Sequence, residues 1–261
     1  MNNESKIAAF ESEVAQRVKQ NGANSGLLKS AADFLQESIR AQYSYNFSWL
    51  GRPIIQYPQD ILAVQEIIWA TNPDLIIETG IAHGGSLIMS ASMLALLEYR
   101  DAAVAGTTID TSVPSRKVLG IDIDIRPHNR EAVEKHYLAP HIEMIQGSSI
   151  AEDVISRVRK FSSNYKRILV CLDSNHTHAH VLGELEAYAP LVSKGSYCIV
   201  FDTVIETLPE ESLFGRPWAQ RDNPMTAVRE YLKQNPEFVV DQSVDQKFLI
   251  SVAPSGFLLR Q

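Results

Sequence analysis

Between residues 75 and 201 the chain alternates short apolar runs with longer stretches whose apolar positions recur every three or four residues. The runs are "LIIET" (75–79), "VLGID" (118–122), "IEMIQ" (142–146), "RILVCL" (167–172) and "SYCIVF" (196–201). Near-continuous apolar character over so few residues predicts strands buried on both faces. The stretches 84–99, 128–138, 151–161 and 180–192 carry the helical period. Strands separated by helices imply parallel βαβ units and a sheet covered on both sides. Farther on, "NPMTAVREYLKQ" (223–234) predicts a helix with Pro224 in its first turn. "EFVVD" (237–241) and "KFLISVA" (247–253) predict two closing strands. The pattern as a whole predicts an α/β fold: a doubly wound, mostly parallel, Rossmann-like sheet of seven strands.

Ahead of this pattern, residues 1–45 are helical in period, with Ile7, Phe10, Val14 and Val18 three and four apart. "NFSWLGRPIIQYP" (46–58) reads as an ordered loop, and "DILAVQEIIWA" (60–70) as an amphipathic helix with Asp60 as a possible N-cap. The expected division is an N-terminal helical extension and loop over 1–58, then a single domain over 59–261. Two connections are long, 101–116 and 203–222. Long connections in compact domains are often lids or binding loops.

Composition narrows the class. Lys+Arg is 24 and Asp+Glu is 31 in 261 residues, a formal net charge of −7, and no basic cluster argues for nucleic acid. Cys171 and Cys198 both sit inside apolar runs, as small buried hydrophobes rather than as a disulfide framework. No run approaches the length of a membrane span, and the polar start lacks the pattern of a signal peptide. The expectation is a soluble, cytoplasmic protein.

In doubly wound sheets ligands bind outside the carboxyl ends of the strands, near the point where strand order reverses. That rule makes a shortlist. "ETGIAHGGS" (78–86) follows the first strand; its glycines permit a tight turn, and its amides open a helix where an anionic group is favoured. Such a turn alone fits a strand–helix connection without a ligand equally well. Asp122 ends the second strand, where an acid can accept from a ribose diol. "QGSS" (146–149) is small and polar, suited to lying beside a flat base. Asp173 and Asp202 end the fourth and fifth strands, as a pair of oxygen donors suited to a hard divalent cation or, separately, as an N-cap and a turn residue.

Asp173 opens "DSNHTHAH" (173–180), whose alternating histidines suggest zinc. The alternation is the wrong period for one helix face, and no third soft ligand has a useful spacing. His178 and His180 therefore read as capping or packing residues. His83, inside the glycine turn, fits a ligand contact and a turn residue equally.

The stretches "WLGRPIIQYPQD", "IIETGIAHGGS", "VLGIDID", "GSS", "LDSNHTHAHVLGELEAYAPLV", "VFDT" and "NPMTAVREYL" together resemble the cephalosporin hydroxylase / rhamnosyl O-methyltransferase family. That family lies within the class I S-adenosylmethionine-dependent methyltransferases, and the resemblance spans roughly 45–250. It implies that Glu78, Gly80 and Ser86 hold the methionine part of S-adenosylmethionine, Asp122 the ribose and Ser149 the adenine edge. Asp173 and Asp202 would bind Mg²⁺. His176 falls where related sugar O-methyltransferases place a catalytic base. Relatives usually carry an acid directly before the residue matching Asp202; here that position is Phe201, so Thr203, water or substrate oxygens would complete the shell.

The function implied is metal-assisted methylation of a hydroxyl on a rhamnose-like sugar, a glycan or a small natural product. A cation would lower the hydroxyl's pKa and His176 would accept its proton. Trp218 and Arg216 could stack on and clamp the sugar, or simply anchor their loop. The family also implies homo-oligomers. The competing readings are a hydroxylase, as the family name suggests, and a cofactor-binding subunit without catalysis.

Overall fold

The computed structural model describes residues 3–213 and 215–261. Met1 and Asn2, in the expected extension, and Phe214, in the expected 203–222 loop, lie outside the described residues. The extension forms two helices, α1 (Asn3–Gly22) and α2 (Ser25–Arg40). The Asn24 side chain accepts from the Leu27 amide to cap α2. Where an ordered loop was expected, an antiparallel hairpin forms from β1 (Phe47–Trp49) and β2 (Arg52–Ile54).

The alternating region follows its pattern closely. It runs α3 (Pro58–Thr71), β3 (Leu75–Thr79), α4 (Gly85–Ala105), β4 (Lys117–Asp122), α5 (Pro127–Glu134) and β5 (Ile142–Gln146). It continues through α6 (Glu152–Ser162), β6 (Ile168–Leu172), α7 (His178–Tyr188), β7 (Tyr197–Val200) and α8 (Pro224–Gln234). The last elements are β8 (Phe238–Val240), α9 (Gln242–Phe248) and β9 (Phe257–Arg260). The seven-stranded sheet has the order β5-β4-β3-β6-β7-β9-β8. Its first five strands are parallel, while β9 runs antiparallel to both β7 and β8. From β3 the chain steps outward to β4 and β5, then returns to β6 on the other side. The order therefore reverses at β3, and the carboxyl ends of β3, β4 and β6 flank one crevice.

Both faces are apolar, as the near-continuous runs required. Along β6, Leu169 and Cys171 enter one core with α3 and α4, while Val170 and Leu172 enter the other with α6, α7 and α8. Cys171 and Cys198 are buried and free, and face opposite cores. Among the described residues no helix is long and apolar enough to cross a membrane.

Two expectations fail for identifiable reasons. "KFLISVA" is not a strand: its first two residues end α9 and the rest is loop. Its apolar side chains serve packing, with Phe248, Val252 and Ala253 in or against the α3–α4 core. The closing strand is "FLLR", which pairs with β7 through Ile199↔Phe257 and with β8 through Phe238↔Arg260. Asp60 is not the N-cap of α3, because Tyr57 holds that position. Instead the fully buried Asp60 carboxyl accepts from Ser251 Oγ (2.5 Å) and the Val252 amide (3.0 Å). Burial pushes this carboxyl up to about 7 despite both bonds.

Candidate functional site

The crevice at the strand ends is a cavity of about 300 Å³. Gly80, Asp122, Ser149, Asp173 and His180 line it, and residues 53–56 lie against it from the hairpin side. Gly80 is required twice over. Its φ of +88° is left-handed, and a Cβ there would collide with the Asp173 carbonyl oxygen. The turn after β3 thus lies directly against the backbone leaving β6.

Glu78 is buried beneath this turn, and Ser86 Oγ donates to its Oε1. Burial pushes its carboxyl up to about 7, against the opposing hydrogen bonds of Ser86 and Ser90. Asp122 joins two strand ends: its Oδ2 accepts from the Ile81 amide at 2.7 Å and its Oδ1 from the Asp124 amide at 3.0 Å. Ser149 is fixed through its carbonyl, which accepts from the Tyr188 hydroxyl. His83 lines the cavity, and its carbonyl accepts from Arg52 Nη2 at 2.5 Å. Arg52 also donates to Asn129 Oδ1 (3.0 Å), and Asn129 donates back to the Ala82 carbonyl (2.9 Å). This brace was not legible in the sequence, since nothing local in "LGRPII" ties a guanidinium to a turn thirty residues on.

Beside the cavity, which Asp173 lines, the structure brings together Asp173, His176 and Asp202. One ligand atom from each lies within 4.8 Å of the other two. His176 Nε2 is 3.0 Å from Asp202 Oδ2. Burial and then the Asp202 charge push the Asp173 carboxyl well above the usual carboxylate range. At His176 burial works against charge, but Asp202 in contact, with Asp173 and Glu184 nearby, holds the imidazole up at about 9. The two partly buried acids converging here fit a hard divalent cation, with the imidazole beside them. Thr203 is less well disposed for that role: it is fully buried and its hydroxyl donates to the Pro254 carbonyl at 2.7 Å. Phe201 is buried in the α3–α4 core.

Further residues support this group. Gln56 Nε2 donates to Asp173 Oδ2 at 3.3 Å. Asp202 has φ +56°, a left-handed conformation that Asp tolerates better than most residues. The turn it opens is held from behind, the Val204 amide donating to the Val252 carbonyl at 3.2 Å. Val252 is in turn held by Asp60, so the misplaced N-cap is the foot of a strut that reaches the Asp202 turn. Trp218 meets His176 edge-on at 4.7 Å between ring centroids, and Arg216 lies over Trp218 at 5.4 Å. The 203–222 connection therefore folds over the imidazole.

The two remaining histidines separate. His178 begins α7 and ties it to α8, with Nδ1 2.8 Å from Thr226 Oγ1 and Nε2 3.3 Å from Glu230. That is the packing role expected of it. His180 differs: it lines the cavity, with Nε2 3.0 Å from Ser149 Oγ. The helix starts two residues later than His176, which leaves His176 free in the loop and turns His180 inward.

With this geometry in hand, comparison with known proteins is direct. The chain is 27% identical over 247 residues to a rhamnosyl O-methyltransferase of Mycobacterium leprae (strain TN), covering 91% of this chain and 95% of that one. It is 26% identical over 236 residues to a protein of the same name from Mycobacterium tuberculosis (strain ATCC 25618 / H37Rv), covering 88% and 86%. A solved CmcI structure in its Mg–SAM form superimposes with TM-score 0.53 at 20% identity, covering 83% of this chain and 77% of that one, a likeness of fold. The family model for rhamnosyl O-methyltransferase/CmcI matches residues 41–261, and the chain belongs to that family.

Proposed function

We propose that the protein is an S-adenosylmethionine-dependent O-methyltransferase acting, with a divalent cation, on a hydroxyl of a rhamnose-like sugar or related glycan. The observation that carries this reading is the Asp173–His176–Asp202 group, which adjoins through Asp173 a cavity that Asp122 and Ser149 also line. The names of its relatives and the Mg–SAM form of CmcI support it.

In this reading Glu78 and Ser86, with the turn at Gly80, take the methionine part. Asp122 accepts from the ribose hydroxyls and Ser149 addresses the base. The cofactor, when bound, supplies a methyl group on a sulfonium, open to in-line displacement. Asp173 and Asp202 would hold the cation, Mg²⁺ by the chemistry of the donors, which would supply a charge that lowers the pKa of an acceptor hydroxyl. With the carboxylates' charge directed at a cation, His176 would lose the interaction that holds its proton, leaving Nε2 free to accept one from the acceptor hydroxyl. Trp218 and Arg216 border the acceptor and keep water from His176. The rest of the rate gain comes from holding nucleophile and methyl in line.

A one-histidine, two-carboxylate group argues against the hydroxylase reading, because non-haem iron oxygenases use two histidines and one carboxylate. The division at residue 58 is retained with one amendment: the hairpin reaches the cavity through Pro53–Gln56 and belongs to the site. A cytoplasmic setting and a homo-oligomer complete the proposal. Exposed Ile7 and Phe10 on α1 suit self-association, which light scattering checks. Calorimetry with S-adenosylhomocysteine, followed by methyl-transfer assays on a sugar panel with and without Mg²⁺, tests the function. Absence of nucleoside binding would refute it, and binding without turnover on any acceptor would favour a non-catalytic subunit.

A further inference from the structure

His180 and Glu184 take no part in the chemistry above, yet they form a polar network behind the cavity wall. Glu184 is fully buried, and its Oε2 has no hydrogen-bond partner among the described residues. Ser174 Oγ donates to Glu184 Oε1 at 2.6 Å. His180 Nε2 lies 3.2 Å from Ser174 Oγ, 3.4 Å from Glu184 Oε1 and 3.0 Å from Ser149 Oγ.

The network directs the protons of Ser174 and His180. A carboxylate only accepts, so the proton of Ser174 points at Glu184. The Ser174 oxygen then has only lone pairs to offer His180, and Glu184 offers only lone pairs as well. Nε2 must therefore carry its hydrogen and share it among three acceptors. A neutral imidazole with that tautomer and an imidazolium both satisfy this. Ser149 Oγ is one of the three, so it accepts at that contact and its own proton is left over. Among the described residues no other acceptor is bonded to Ser149 Oγ, and its main chain is pinned by Tyr188. The direction towards His180 is thereby closed to the Ser149 proton, which biases this cavity-lining hydroxyl towards donating to a ligand.

The geometry points to His180 as a specificity-determining residue, which through Ser149 makes the base end of the cavity select a purine with an unprotonated ring nitrogen over one with a ring N–H. This rests on the proposed nucleoside reading of that end. Adenine offers an acceptor at N1. Hypoxanthine, its deaminated counterpart, offers an N–H donor there. A hydroxyl biased towards donation and facing a donor must either turn its proton away or leave two polar groups unpaired in a desolvated place, an arrangement that discriminates between near-isosteric ligands.

The test compares dissociation constants of S-adenosylhomocysteine and S-inosylhomocysteine by calorimetry. The parent protein should prefer the adenine compound by ~10-fold or more. In His180→Ala the Ser149 hydroxyl is free to turn and accept, so the ratio should fall towards one, chiefly by improved binding of the inosine compound. Ser149→Ala should also erase the ratio. His180→Gln, whose amide keeps a donor, should retain much of it. A parent ratio near one overturns the inference. So does His180→Ala weakening both ligands by one common factor, which is what a merely structural role predicts. If His180→Ala fails to melt cooperatively, Ser149→Ala decides alone, an unchanged ratio overturning the inference and a collapsed one supporting it. A parent that binds neither ligand overturns the proposed function and this inference with it, an outcome distinct from binding without discrimination.

Discussion

The Asp122–Ser149 end of the site and the Asp173–His176–Asp202 end beside the cavity are built on opposite principles. The Asp122–Ser149 end is made of main-chain amides, small hydroxyls and one carboxylate, and its polar groups already hold one another: Asp122 accepts amides from two segments and Ser149 is fixed at both oxygens. The Asp173–His176–Asp202 end concentrates charge that the protein alone compensates with a single imidazole. One end is a finished mould and the other is an electrostatic deficit. The first suits a ligand recognised by shape and hydrogen bonding. The second suits a cation, and its residues change their proton affinities when that charge arrives.

The largest expected effect lies at the charged end. His176→Ala should reduce methyl transfer by roughly 10²–10⁴-fold, the usual span for a lost general base, while S-adenosylhomocysteine binding measured by calorimetry stays at the parent value. If cofactor binding fell equally, the two ends would not be separable. Next comes a pH effect at the finished end. The pKa of Glu78 is raised in the folded protein to about 7 from an ordinary value of 4.5. The folded state therefore binds that proton more tightly, and the associated stability is complete below about 4.5 and lost as pH rises through about 7. Its size is on the order of 3 kcal/mol, since each pKa unit is worth about 1.4 kcal/mol. Denaturant titrations from pH 4.5 to 8 should show that slope in the parent and a flatter one in Glu78→Gln.

Asp202→Asn should weaken Mn²⁺ or Mg²⁺ binding at least ~10-fold in a metal titration, with cofactor affinity in the absence of metal unchanged. Equal metal affinity in parent and variant would place the cation elsewhere. The smallest expected change is in Asp122→Asn. Loss of a charged acceptor should lower S-adenosylhomocysteine affinity by about 1.5 kcal/mol, roughly tenfold, and leave metal affinity intact.

The finished end was the more legible in sequence, although its residues come from several strands. Asp122, Ser149 and the glycine turn each follow an apolar run, so locating the strands located them. Asp173 and Asp202 were legible for the same reason, as was His176, the proposed base, through the surrounding motif. What the sequence hid were partners set by tertiary packing: Arg52 on the His83 carbonyl, Gln56 on Asp173, Asp60 on Val252. None has a periodic signal, because each reaches across an interface rather than along an element. The inward turn of His180 depended on a two-residue shift in the start of α7, finer than periodicity resolves. "KFLISVA" misled for a related reason: apolar character reports burial, and only pairing partners distinguish a strand from a packed loop.

Gly80 carries a consequence for precision. At that position the cofactor turn and the backbone leaving β6 are separated by hydrogen atoms alone. In the proposed reaction, the spacing between the group that donates the methyl and the strand end that places the acceptor would thus be set by main chain against main chain. Side-chain rotamers contribute no play to it. An in-line transfer tolerates little error in that distance, and here the tolerance is machined into the sheet itself. Enlarging residue 80 would therefore act as a spacer, pushing the two reaction partners apart even with every polar side chain of the site still in place.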